Sequence, residues 1–126
     1  MDYNIINLLE KGLHVEYLYS VEGYTTFYVQ VKSGVFVGET NFCIPESNLN
    51  KIIKELSIMY NALEGGCIIE DNDSDSVLNF HLDKLGLLVV QGQVGGSHEK
   101  HYMKFEYYTD QTILKPLIKI LSNDKF

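Results

Sequence analysis

His98 and His101 form an H-x-x-H pair in the chain. Two imidazoles hold a divalent metal only with one or two further donors, and this pair follows Gly95-Gly96 instead of sharing a helix face. Cys43 and Cys67 would supply two thiolates, but they stand 24 positions apart and not in a C-x-x-C knuckle. Asp71-Asn72-Asp73-Ser74-Asp75 puts carboxylates at the first, third and fifth positions of a calcium loop. The match stops there, because Ser76 replaces the template's glycine and Leu82 its bidentate glutamate. Gly92-Gln93-Val94-Gly95-Gly96 leads from one strand to another, so no helix N-terminus follows to hold a phosphate, and a hairpin turn accounts for it. Cys43 beside His14 or His81 would make a nucleophile and base, yet no spacing favours that over a buried structural thiol. Without a catalytic motif, the expectation is a protein that is not an enzyme and needs no metal or cofactor.

The charge balance points toward a macromolecular partner. Seventeen acidic residues against ten basic ones give a net charge of -7, which disfavours nucleic acid and anionic membrane and suits a cationic protein. Every one of those ten cations is lysine, so the guanidinium fork used for phosphate and guanine is missing. Two cysteines are too few for a disulfide scaffold, and reduced thiols fit a cytoplasmic chain. Met1-Asp2-Tyr3-Asn4 lacks a secretory start, and the longest apolar run, Leu87 to Val90, is far below the roughly 18 residues of a membrane span. A length of 126 residues with 45% apolar content predicts one domain over 1–126.

The elements that must position these residues follow from periodicity. Residues 2–10 fit a short helix or an edge strand equally well. Three strands are predicted at Leu13 to Tyr19, Tyr24 to Lys32 and Val35 to Ile44, separated by Glu22-Gly23 and Ser33-Gly34. Leu49, Ile52, Ile53, Leu56, Met59, Tyr60 and Leu63 then form a helical stripe, with Ser47 as N-cap and Gly65-Gly66 as stop. Strand texture returns at Cys67 to Glu70, Val77 to Leu82, Gly86 to Val94 and His101 to Tyr108. A last helix runs from about Thr112 to Leu121, with Pro116 tolerated in its first turn.

The order β-β-β-α-β-β-β-β-α predicts an α+β fold: a mostly antiparallel sheet of about six or seven strands with two main helices packed on one face. Parity places Phe27, Val29, Val31, Leu78, Phe80, Leu82, Leu88, Val90, Met103, Phe105 and Tyr107 toward the core. The opposite face then carries Tyr24, Thr26, Tyr28, Gln30, Asn79, His81, Gln91, Gln93, Tyr102, Lys104, Glu106 and Tyr108. Tyrosines among polar groups suit a protein-binding face, because each brings a large area and a hydrogen-bonding tip at low entropy cost. The competing reading is that aromatic residues simply favour exposed strand positions.

In its C-terminal part the chain reads Gly86-Leu-Leu-Val-Val-Gln-Gly, Met103-Lys-Phe-Glu-Tyr, Tyr108-Thr109-Asp110-Gln111-Thr112-Ile-Leu114 and Leu117-Ile118-Lys-Ile-Leu121. This succession resembles the WapI-type bacterial immunity proteins, with T-D-Q-T its specific words. The resemblance covers residues 46–121 in order of elements, and the first 45 residues match in general texture. It implies a small cytoplasmic inhibitor, encoded beside a polymorphic toxin of contact-dependent competition, that binds the toxin's C-terminal domain. Thr109-Asp110-Gln111-Thr112 carries over only as a structural turn and helix cap. Acting as a monomer or weak dimer, such a protein would steer a basic nuclease domain with Glu70, Asp71, Asp73, Asp75, Glu99 and Glu106. Tyr24, Tyr28, Tyr102 and Tyr108 would anchor it. The alternative is a small ligand- or metal-binding domain that uses the 95–101 loop.

Overall fold

The computed structural model describes residues 12–122, so the open reading of residues 2–10 lies outside the described residues. Seven strands and two helices follow in the order β1 (Leu13–Val21), β2 (Tyr24–Ser33), β3 (Phe36–Pro45), α1 (Glu46–Ala62), β4 (Gly66–Glu70), β5 (Val77–Leu82), β6 (Leu87–Val94), β7 (Met103–Asp110) and α2 (Leu114–Leu121). The class is α+β, as the element order predicts, and every strand pair is antiparallel.

The strands do not form the single sheet expected from sequence. β1-β2-β3 make one sheet and β4-β5-β6-β7 another. β3 crosses the end of the second sheet: Gly38 lies against Val94 and Met103, and the Asn72 amide donates to the Cys43 carbonyl at 2.8 Å. A strand laid across the ends of other strands cannot share their ladder, because both partners must run alongside each other to exchange bonds. The expectation of two helices on one sheet face is corrected with it. α1 packs against α2, β3 and β4, whereas α2 rests on β1, so the helices bridge both sheets.

Parity reads the faces well. Phe27, Val29, Val31, Leu78, Phe80, Leu88, Val90 and Phe105 are buried, and Leu82, Met103 and Tyr107 pack half-buried against them. On the opposite set Thr26 and Gln93 turn out buried, and Gln93 donates through Nε2 to the Gly95 carbonyl at 2.8 Å.

Local signals fail where tertiary contacts intervene. Ser47 is not the cap of α1: the N-cap is Pro45, in extended conformation, and the Glu46 amide donates to Gly23 at 2.8 Å, tying the helix start to the β1-β2 turn. At the other end α1 closes on Leu63, left-handed at φ 57°, before the predicted Gly65-Gly66 stop. Gly92 lies inside β6, within the strand expected at Gly86 to Val94, and a Cβ there would collide with the Val77 carbonyl oxygen of the neighbouring strand. β7 starts at Met103, which leaves His101 and Tyr102 in the preceding loop.

Candidate functional site: an acidic and aromatic surface at the loop end

Two loops meet at one end of the second sheet, residues 71–76 between β4 and β5 and residues 95–102 between β6 and β7. The Ser97 amide donates to the Asp75 carboxylate at 3.0 Å, with the Ser97 hydroxyl on its second oxygen, and the Gly95 amide donates to Ser76 Oγ at 2.9 Å. Those Ser97 donors hold the Asp75 carboxyl below the usual carboxylate range.

Asp71 faces inward. One oxygen accepts the Cys43 amide at 2.8 Å and the Asp73 amide at 3.2 Å, and the other accepts the Ser74 hydroxyl at 2.7 Å. The run that imitates a calcium loop therefore spends the Asp71 and Asp75 carboxylates on protein donors. Among the described residues no three His, Cys, Asp or Glu side chains converge as a metal would require. Asp73 remains exposed beside them.

The β2-β3 hairpin tip comes up to the same end. Val35, Phe36 and Val37 are consecutive and all exposed, Phe36 at 68%. Between this tip and the 95–102 loop lies a cleft of about 340 Å³, with Phe36, Val37 and Glu39 on one side and Glu99, His101 and Tyr102 on the other. Tyr102 keeps 48% of its surface in solvent. Apolar contact area thus stands among carboxylates, the composition of an interface core inside a polar rim.

The remaining residues expected to bind are dispersed. Tyr24 sits at the far end of β2 beside α1, about 30 Å from the hairpin tip at a strand's usual rise. Tyr108 and Glu106 lie along β7, where Tyr108 is exposed opposite Val89 and the Glu106 carbonyl accepts the Ser33 hydroxyl at 3.4 Å. Glu70 ends β4 in solvent. Tyr28 is half-buried on the outer face of the first sheet, where its hydroxyl donates to Glu39 and Gln30 Nε2 donates to it at 3.3 Å. Burial, reinforced by Glu39, pushes its phenol up to about 12.

Neither proposed nucleophile pair comes together. Cys43 is opposite Thr26 and His14 opposite Gln30, four residues and about 13 Å apart along β2. His81 belongs to the second sheet, opposite Gly66 at the end of β4 far from the 71–76 loop. Burial and the Asp73 charge raise the Cys43 thiol, and burial drives Cys67 to about 12, the reverse of nucleophile activation.

Residue types and spacing alone did not single out Val35, Phe36, Val37 and Glu39. One signal was available: an apolar run of three starts at Val35, directly after Ser33-Gly34, so a tight hairpin there leaves apolar side chains at its tip. Comparison with protein-family models, curated proteins and solved structures gives no match for this chain.

Proposed function

We propose that this protein is an immunity-type inhibitor that holds the cationic C-terminal domain of a secreted toxin and occludes it. The observation that carries the reading is the convergence of Phe36, Val37 and Tyr102, all exposed, with Glu39 and Glu99 around one cleft, while Asp73 stands exposed in the adjoining 71–76 loop. Exposed apolar runs are uncommon on monomers without a binding role, and anchors inside an acidic rim suit a basic partner. The resemblance of residues 46–121 to WapI-type immunity proteins supplies the toxin and a cytoplasmic setting.

The site is narrower than composition suggested. Phe36, Val37 and Tyr102 serve as anchors, Glu39, Asp73 and Glu99 steer, and Asp71 and Asp75 build the loops that carry them. No helix among the described residues is long and apolar enough to cross a membrane. Co-expression with the toxin C-terminal domain encoded immediately upstream tests the reading. Co-purification of the two proteins with survival of the host is the expected result, and unrelieved toxicity would remove it.

A further inference from the structure

β4 is an edge strand, paired among the described residues with β5 alone. Its ladder can be followed from both ends: the Leu82 amide donates to the Gly65 carbonyl and the Asp71 amide to the Ser76 carbonyl, each at 3.1 Å. With Gly66 opposite His81 and Glu70 opposite Val77, antiparallel alternation assigns Cys67 and Ile69 to the bonded pairs. The N–H and C=O groups of Gly66, Ile68 and Glu70 therefore point away from β5. They open on a cleft of about 470 Å³ whose far wall is α1, with Lys51 and Glu55 facing it. Ile68 is 52% exposed there, an apolar side chain beside backbone groups that point away from β5.

We propose that this edge takes an extended segment of a partner polypeptide as a fifth strand of the second sheet, the segment carrying lysine or arginine at alternate positions. Strand addition needs a free ladder edge for main-chain bonds and a wall for alternate side chains, and β4 with α1 offers both. Charge selects the occupant. Glu55 and Glu70 outweigh Lys51 along the cleft, and Asp73 stands exposed in the loop beyond Glu70. A second copy of the chain would instead bring its own net charge of -7 against the same surface. The inference does not rest on the toxin reading, since Phe36 and Tyr102 take no part in it.

The test uses the full chain and a capped seven-residue peptide alternating lysine with valine, compared with a counterpart N-methylated at every interior amide. The peptide is expected to slow hydrogen exchange at the Gly66, Ile68 and Glu70 amides. The methylated counterpart should bind at least about tenfold more weakly, the loss of one or two net hydrogen bonds. Ile68→Pro should weaken binding similarly with an unchanged melting midpoint, because it removes an N–H that β5 does not use. Should that variant fail to fold, the pair of peptides still decides. Equal binding of both peptides, no binding, or binding that leaves the three amides unchanged overturns the proposal. Protection of those amides in the free protein by self-association would assign the edge to a second copy and overturn it too.

Discussion

Asp71 and Asp73 are the same residue type two positions apart, and the fold gives them opposite work. Removing the Asp71 carboxylate strands the Cys43 amide in a half-buried position, so Asp71→Ala should cost about 2 kcal/mol in a thermal melt. Asp73→Ala should stay within about 0.5 kcal/mol and act on partner binding instead. Nothing in the sequence separates the two, because the partner that fixes Asp71 lies 28 positions away. Tyr28 offers a pH test. Its folded pKa of about 12 lies above the ordinary 10.0, so its neutral form is favoured by folding. That contribution is complete below about pH 10 and is lost as pH rises through 12. In an ultraviolet titration Tyr28→Phe should remove one late-ionising tyrosine. Glu39→Gln should lower that midpoint only in part, since burial is the larger cause.

Elements were legible wherever the deciding contacts are local. The alternation in β5 and β7 marks the buried side correctly, whereas β6 buries Val89 and Gln93 on its outer face as well, and Phe105→Ala should lower stability by about 3 to 5 kcal/mol, read as a shift in the urea midpoint. The T-D-Q-T turn is also local: the Thr112 amide donates to the Asp110 carboxylate at 2.9 Å, and a short 3-10 turn over Gln111–Ile113 then leads into α2. The end of α1 shows the limit. Gly65-Gly66 is the better stop by residue type, yet Leu63 adopts the left-handed conformation at φ 57°. It is 52% exposed and loses little packing on truncation, so Leu63→Gly should stabilise the protein by about 1 kcal/mol, visible as a melting midpoint a few degrees higher. The division into two sheets was not legible, because alternation fixes a strand's faces and leaves its pairing partners open.

At the scale of the whole molecule, the proposed inhibitor reading rests on a net charge of -7 for the class of partner and on the position of the hairpin tip for where it would dock. Charge was readable from composition. The surface was not, since it joins β3 to a loop about sixty positions later in the chain. Electrostatic steering acts mainly on the association rate, and buried aromatic anchors act mainly on dissociation. The most direct measurement is therefore the kinetics of binding to the toxin C-terminal domain at low and high salt, for the natural chain, Tyr102→Ala and the doubly reversed Asp73→Lys/Glu99→Lys. Association should slow with salt for the natural chain and slow less for the charge-reversed one. Tyr102→Ala should dissociate roughly thirtyfold faster, the equivalent of about 2 kcal/mol. Tight binding with rates indifferent to salt and to both variants would contradict the account.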